Sequence, residues 1–253
     1  MNAATNSPVP LLEARQVSKY FGGLAAVNQV DLAIPAGEVV GLIGPNGSGK
    51  TTFFSCLSGL QSIDQGKIYF KGKDITRKRP YQLARMGLAR TFQRLRIYRQ
   101  MTVLENLLIS RQWRGETLFS MLNPSHPQTQ RRAQELLDFL KLSPLQHEYA
   151  NTLSGGQRRL LEMGMALMPN PDLLLLDEAT SGVNPTLVET IKDHILTLNR
   201  QQGKTFLLIE HNMNFIDDLC DRVYVLNQGK TLAEGPPAEI KTNESVIEAY
   251  FGT

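Results

Sequence analysis

The sequence is poor in cysteine. Its 253 residues include only Cys56 and Cys220, and no other cysteine or histidine stands near either of them at metal-ligand spacing. This scarcity excludes a disulfide framework and gives no indication of a zinc site. We therefore expect both thiols to pack as small residues of the hydrophobic core.

Long apolar runs are also lacking. No stretch reaches the roughly 18 consecutive apolar residues that a membrane-spanning helix needs, and the first twenty residues carry no basic and then apolar signal pattern. The sequence thus predicts a cytoplasmic chain. Residues 1–10 are expected to form a loose leader, with the structured part beginning at residue 11.

Acidic residues are missing from one window. Residues 77–99 have a local charge of +8, against −5 for the rest of the chain. The pattern fits a solvated helix face, and it fits equally a surface that binds a partner. The eight basic residues of this basic window are Arg77, Lys78, Arg79, Arg85, Arg90, Arg94, Arg96 and Arg99.

Apolar patterns divide the chain into a mixed core and a helical segment. Short runs at 11–17, 30–34 and 67–70 predict antiparallel strands. Continuous apolar runs at 39–43, 173–176, 206–209 and 223–226 predict central strands buried on both faces, as in α/β folds. Helical periodicity dominates from 80 to 153, with helices expected at 103–109 and 133–142 and a loop or helix break at 113–127.

A glycine-rich loop follows the run at 39–43. Residues 44–52 match G-x-x-x-x-G-K-[ST] between a predicted strand and a helix expected at 50–58. The glycines let backbone N–H groups turn inward around phosphates, and the helix N-terminus adds its positive end. Lys50 would reach the β and γ phosphates, and Thr51 would bind Mg²⁺. The predicted nucleotide-binding residues are Gly44, Pro45, Asn46, Gly47, Ser48, Gly49, Lys50, Thr51 and Thr52.

Two acids end the apolar run at 173–176. Asp177 would emerge at the carboxyl end of a parallel strand beside the phosphate loop, a place suited to binding Mg²⁺ through water. Glu178 points in another direction and is our candidate for polarising the attacking water.

A second anion-binding device lies at residues 153–157, which read Leu-Ser-Gly-Gly-Gln ahead of a helix expected at 158–168. A serine hydroxyl and glycine N–H groups at a helix start can hold a phosphate. Two phosphate cradles on one chain are explained simply if two subunits pack head to tail. Each nucleotide would then contact the phosphate loop of one subunit and, from the other, Ser154, Gly155, Gly156 and Gln157.

The order of these motifs, followed by a lone His211, resembles the ATP-binding cassette (ABC) ATPases over essentially the whole chain. The resemblance implies ATP and Mg²⁺. It also implies an α/β fold: a P-loop NTPase (RecA-like) core with an N-terminal antiparallel β subdomain and an inserted α-helical subdomain. Residues 11–253 would be one ABC ATPase domain, with the core and β subdomain at 11–79 and 154–253 and the helical insertion at 80–153.

Further site residues follow from the resemblance. It implies that Gln93 touches Mg²⁺ and the attacking water and senses a membrane partner, and that His211 contacts the γ-phosphate. Phe21 would stack on adenine, with Tyr20 as a neighbouring alternative. Asn184 stands where many relatives carry Asp, so we expect communication across the dimer to differ while hydrolysis persists.

Finer motifs at 87–98, 101–107, 209–213 and 246–252 look like the larger ATP-binding subunit of branched-chain amino acid importers. Uptake systems for other neutral amino acids or urea share them. The resemblance implies a second ATP-binding subunit, identical or a shorter paralogue, two transmembrane permeases and an extracytoplasmic solute-binding protein. The chain would lie peripherally on the inner face of the plasma membrane, with Arg94 and Arg96 flanking the groove for a permease helix.

Two other functions stay open at this stage. The basic window would also suit an ABC protein that acts on nucleic acid or ribosomes. Such proteins usually carry two cassettes or long coiled-coil insertions, which this chain lacks, so we expect no nucleic acid partner. A subunit that assembles without hydrolysing ATP is the third possibility; Asn184 favours it, whereas Glu178 and His211 argue against it.

Overall fold

The computed structural model describes residues 9–91, 97–111 and 127–251. Its strands are β1 (Leu12–Phe21), β2 (Leu24–Ile34), β3 (Val39–Ile43), β4 (Gln65–Phe70), β5 (Lys73–Asp74), β6 (Leu88–Arg90), β7 (Leu173–Asp177), β8 (Thr205–Ile209), β9 (Arg222–Asn227) and β10 (Lys230–Gly235). Its helices are α1 (Lys50–Leu57), α2 (Pro80–Met86), α3 (Val103–Ile109), α4 (Pro127–Phe139), α5 (Gly155–Leu167), α6 (Pro185–Gln202), α7 (Met213–Leu219), α8 (Pro237–Thr242) and α9 (Glu244–Phe251).

The strands of the described residues form two sheets. One is antiparallel, in the order β2-β1-β4-β5. The other has the order β10-β9-β3-β8-β7-β6 and is parallel from β9 to β6, with β10 pairing antiparallel to β9 at one edge. In the parallel sheet β3, β7 and β8 are neighbours, so their carboxyl ends meet at one edge, where ligands bind in open α/β sheets.

The central strands are buried on both faces. Along β3, Val39 and Ile43 belong to one apolar core, and Val40 and Leu42 belong to the other. The same alternation holds in β7 and β8. A strand that contacts two cores needs apolar residues at every position, which is why these runs were continuous in the sequence.

Helix α1 lies in the core shared with the antiparallel sheet. Phe53 and Phe54 are fully buried there, together with Leu12 of β1 and Phe70 of β4. Burial of such a side chain contributes about 1.5–3 kcal/mol. The packing fixes the start of α1, and with it the glycine-rich loop, against both sheets.

Helices α3, α4 and α5 pack against one another and into the other core. Leu107 of α3, Leu137 of α4 and Leu161 of α5 are all completely buried in it. Thr102 caps α3 by accepting a hydrogen bond from the Glu105 N–H, and the Glu105 carboxylate accepts one in return from the Thr102 N–H.

The structure confirms the predicted fold class and the four central strands, and it changes several boundaries. Helix α4 begins at Pro127, six residues before the predicted start. The prediction missed this first part because residues 128–132 are polar and show no apolar period. Helix α5 begins at Gly155 rather than at residue 158. The prediction missed its first residues because glycine has a low helix propensity. Strand β6 lies inside the predicted helical segment yet joins the parallel sheet beside β7.

The predicted loop at 113–127 falls outside the described residues except for Pro127. Cys56 and Cys220 are buried in the two cores, as expected. Among the described helices, none combines the length and the apolar character required to cross a membrane.

Candidate nucleotide-binding site

The phosphate loop connects β3 to α1, and its backbone requires glycine. Gly49 has φ 101° at the start of α1, and a Cβ there would lie 2.2 Å from the Ala26 carbonyl oxygen. A Cβ on Gly44 would lie 2.1 Å from the Leu226 carbonyl oxygen. Side chains at these two positions would push the loop off its neighbours, so the motif's glycines are fixed by packing as well as by conformation.

Lys50 is buried with its ammonium in this loop. Its Nζ donates hydrogen bonds to the carbonyl oxygens of Gly44 at 2.7 Å and Pro45 at 2.9 Å. Burial lowers its pKa, and the nearby Glu178 carboxylate acts in the opposite direction. A desolvated ammonium of this kind is stabilised by an anion, and a phosphate supplies one.

An open cavity of about 680 Å³ lies over the loop. It is lined by Phe21, Leu24, Ala25, Ala26, Asn46, Gly47, Ser48, Gly49, Lys50, Thr51, Thr52, Glu178, His211, Gln228 and Gly229. The structure thus brings together residues that the sequence assigned separately to the phosphates, the adenine and the attacking water. Phe21 lines the cavity and is 49% exposed, whereas its alternative Tyr20 is not among the lining residues.

Glu178 and His211 face each other at the cavity edge. The Glu178 Oε1 lies 3.4 Å from the His211 Nε2. Glu178 directly follows β7 with φ 50°, a left-handed conformation that is uncommon outside glycine, and its N–H donates to the Ile209 carbonyl at 2.9 Å. The parallel pairing of β7 and β8 brings both residues to the same sheet edge.

Asp177 ends β7 and forms an internal ion pair. Its Oδ2 lies 2.8 Å from the Arg90 Nη2, and both side chains are buried. Arg90 also donates to Ser58 Oγ at 2.7 Å and lies over the Phe54 ring at 4.7 Å. The interpretation of Arg90 as part of a solvated or docking surface was wrong, because a charge count along the chain cannot detect a partner 87 residues away.

The Ser-Gly-Gly-Gln segment begins α5. Ser154 Oγ accepts from the Gln157 N–H at 3.3 Å, and the Gln157 side chain accepts from the Ser154 N–H at 2.8 Å. None of the four residues 154–157 lines the cavity of its own chain.

Three other predicted site residues, Gly44, Pro45 and Asp177, also lie outside the lining of the cavity. Gln93, Arg94 and Arg96 fall outside the described residues.

The structure adds residues that the sequence analysis missed. Gly229 donates its N–H to the Ser48 carbonyl at 3.0 Å and lines the cavity, and only the Asn-Gln-Gly turn at the end of β9 marks it in the sequence.

Glu210, also missed in the sequence, is buried. Its carboxylate accepts hydrogen bonds from the Thr180 N–H at 2.9 Å and from the Thr180 hydroxyl at 2.7 Å. Burial raises the pKa of Glu210. Burial also raises the pKa of Tyr250 in α9, opposed by a hydrogen bond with the Gly44 backbone.

The donors present fit a nucleotide with Mg²⁺. Ser48 Oγ is buried and has no hydrogen-bond partner among the described residues, and the Thr51 hydroxyl lies on the cavity wall. Mg²⁺ takes oxygen ligands, commonly one or two from the protein together with phosphate oxygens and water. The fold and the site together define a phosphate-loop nucleoside triphosphatase.

Comparison with protein families places the chain within this class. Residues 27–181 match the model described as ABC transporter, and residues 230–253 match the model described as branched-chain amino acid ATP-binding cassette transporter. The chain belongs to the ABC transporter family, as its motifs predicted.

Curated relatives match over nearly the whole chain. The probable branched-chain amino acid transport ATP-binding protein LivG of Archaeoglobus fulgidus is 40% identical over 246 residues, covering 96% of this chain and 95% of its own. The high-affinity branched-chain amino acid transport ATP-binding protein LivG of Escherichia coli is 40% identical over 251 residues, covering 96% and 98%. The similarity therefore includes the helical segment and the C-terminal helices as well as the motifs.

Solved structures share the fold. The ADP conformation of an ATP-binding cassette of an ABC transporter aligns with a TM-score of 0.86 at 38% identity, covering 96% of this chain and 99% of its own. A dimeric post-hydrolysis cassette bound to ADP and phosphate aligns with a TM-score of 0.76 at 27% identity, covering 89% and 98%. These likenesses confirm the α/β cassette fold.

Proposed function

We propose that this chain is the ATP-hydrolysing subunit of an ABC importer for branched-chain or other neutral amino acids. The observation that carries the proposal is the cavity over the phosphate loop, where Lys50, Glu178 and His211 converge. The name shared by the curated relatives supports the amino acid specificity. Urea, which related uptake systems carry, is a secondary candidate.

The residues act on ATP in distinct ways. Loop N–H groups and Lys50 hold the β and γ phosphates, and Phe21 stacks on the adenine. Glu178 polarises the attacking water, and His211 stabilises the charge that develops on the γ-phosphate. The 3.4 Å separation of Glu178 and His211 supports a shared role at one reacting centre. Gln93 is proposed to contact the attacking water and to sense the membrane partner.

Mg²⁺ would be held by Thr51, Asp177 and Gln93, and it would neutralise phosphate charge during transfer. Asp177 bonds to Arg90 in this structure, which keeps its carboxylate oriented at the end of β7. Arg90 in turn is held by the Ser58 hydroxyl of α1, so the acid and the phosphate loop helix share a support.

The subunit would work within a larger assembly. We propose a head-to-tail pair of ATP-binding subunits, two transmembrane permeases and an extracytoplasmic solute-binding protein, with this chain on the inner face of the membrane. The position of Ser154 and Gln157 outside the chain's own cavity supports their action on the partner's nucleotide. Residues 80–153 are proposed as the helical insertion within a single domain spanning 11–253, except that β6 within them belongs to the parallel sheet of the core.

The test is ATP turnover and uptake by the transporter purified or expressed with its native partners. Glu178→Gln removes the water-polarising carboxylate and should lower turnover by on the order of 100-fold or more, with ATP affinity retained. Glu148→Gln, an exposed glutamate, is the matched control. Uptake of labelled leucine, isoleucine and valine should fall by a factor similar to that of ATP turnover. Wild-type turnover in Glu178→Gln would contradict the assigned role.

A further inference from the structure

A buried arginine lies behind the turn that carries Glu178. Arg159 belongs to the second turn of α5 and is 8% exposed. Its Nε donates to the Ala179 carbonyl at 3.2 Å, and its Nη2 donates to the Glu178 carbonyl and, at 3.5 Å, to the Asp177 carbonyl. One guanidinium thus contacts three successive carbonyl oxygens of the turn.

The charge of Arg159 is balanced on its own helix. Its Nη1 lies 2.9 Å from Glu162 Oε2, one helical turn further on, and the Glu162 side chain is buried. Neither residue lines the nucleotide cavity. The planar guanidinium presents donors in a rigid fork, so it can hold a carboxylate on one side and backbone carbonyls on the other.

The turn needs support of this kind. Glu178 has φ 50°, a conformation that costs free energy in a residue with a side chain and persists only where the surroundings hold it. The turn is tied on its other side by the Glu178 N–H bond to Ile209 and by the two bonds from Thr180 to Glu210. Arg159 supplies the bonds on the α5 side.

We propose that Arg159 is a positioning residue for ATP hydrolysis. It fixes the backbone of residues 177–179 so that the Glu178 side chain faces the cavity, and it joins that turn rigidly to α5, the helix that Ser154 caps. The inference rests on the proposed function, because it presupposes that Glu178 acts on the attacking water.

The decisive variant replaces both members of the buried pair. Arg159→Met alone removes the cation that lies 2.9 Å from the buried Glu162 carboxylate, and the loss of one member of a buried ion pair can unfold a protein. Arg159→Met combined with Glu162→Met removes both charges at similar volume, so folding should be kept. In the full-length chain within the assembled transporter we expect kcat to fall on the order of 10- to 100-fold, with KM for ATP within about threefold of wild type.

Two further variants separate positioning from charge pairing. Arg159→Lys keeps a cation beside Glu162 but offers no fork for three carbonyls, so it should fold normally and still lose most of kcat. Arg132→Met is the matched control, because Arg132 is half-buried and bonds the Leu167 carbonyl at the far end of α5. Its kcat should stay near that of wild type.

The outcomes divide as follows. Wild-type kcat in the folded double variant, or full recovery with Arg159→Lys, overturns the positioning role. Equal loss of kcat and ATP affinity with a lowered Tm also overturns it, since that pattern marks a general structural role. If Glu178→Gln turns over ATP normally, the proposed function fails first and this inference fails with it. Loss of turnover in Glu178→Gln with normal turnover in the double variant overturns the inference alone.

Discussion

At the scale of single residues, the phosphate loop buries a positive charge against backbone carbonyls. The Lys50 ammonium bonds the Gly44 and Pro45 oxygens, and burial lowers its pKa. Carbonyl oxygens are weaker partners for an ammonium than an anion is. We therefore expect a phosphate to stabilise this ammonium more than the two carbonyl oxygens do.

Lys50→Met should lower the affinity for ATP without lowering the stability of the chain. Loss of a charge-assisted bond of about 1.5–3 kcal/mol should weaken ATP binding roughly 10- to 100-fold. The free energy of unfolding without nucleotide should stay within about 1 kcal/mol of wild type or rise, because an apolar group replaces a desolvated cation. Titration with a fluorescent ATP analogue and urea unfolding measure the two quantities. Lys192→Met, at a surface pair with Asp218, should leave affinity unchanged.

Glu210 makes stability depend on pH. Burial raises its pKa above the ordinary 4.5, so the ionised form is disfavoured in the folded chain. The stability that the group contributes is full below about pH 4.5 and is lost as the pH rises through the raised pKa.

Glu210→Gln should remove this pH dependence because an amide does not titrate. The Tm of the variant minus the Tm of wild type should increase as the pH rises from about 4.5 towards neutrality. Thermal unfolding followed across this range measures the difference, with Glu148→Gln, at an exposed glutamate, as the control. A difference in Tm that does not change with pH, or that decreases as the pH rises, would show that the Glu210 carboxyl is not the source of the pH dependence of stability.

At the scale of elements, the loop between β3 and α1 depends on close backbone contact. Gly49 adopts φ 101° and lies against the Ala26 carbonyl, in the antiparallel sheet, and against Gly229 after β9. Gly203, which ends α6 at φ 63°, has no atom near the position of a Cβ. The two glycines share a left-handed backbone and differ in packing.

Gly49→Ala should therefore destabilise the chain far more than Gly203→Ala. The left-handed conformation alone costs about 1–2 kcal/mol for alanine. The Cβ 2.2 Å from a carbonyl oxygen adds a clash at Gly49, so we expect its total loss to exceed about 3 kcal/mol. Urea unfolding of both variants gives the comparison. Equal losses would mean that the loop moves away from Ala26 without cost.

At the scale of the whole molecule, the two segments predicted to bind phosphate lie apart. Residues 46–52 line the cavity, whereas Ser154 and Gln157 cap α5 outside it. A chain that binds ATP with its own loop should thus need a second subunit to complete the site.

Ser154→Arg should keep binding and lose turnover. We expect the ATP affinity of the full-length chain to stay within about twofold of wild type, and turnover of the assembled transporter to fall at least about tenfold, because the bulky cation blocks the partner's phosphates. Ser62→Arg, at an exposed serine, serves as the matched control. A loss of affinity in the chain alone would place Ser154 in its own site and contradict the head-to-tail arrangement.

Contiguous motifs allowed much of the fold and site to be predicted. Continuous apolar runs revealed the central strands because both faces of each strand are buried. The loop at 44–52 was recognisable because glycine, lysine and threonine must follow one another where a strand leads into a helix. Weaker local signals failed: polar residues concealed the start of α4, and three residues were too few to mark β6.

The sequence by itself determined the class of site, since each motif carries its chemistry within a few neighbouring residues. The tertiary structure alone decided how those motifs are supported. Arg90 reaches Asp177, and Arg159 reaches the carbonyls of the Glu178 turn, only because the order of strands in the parallel sheet and the packing of α5 bring distant segments together. The members of such pairs lie far apart in the sequence, so composition and periodicity cannot reveal them.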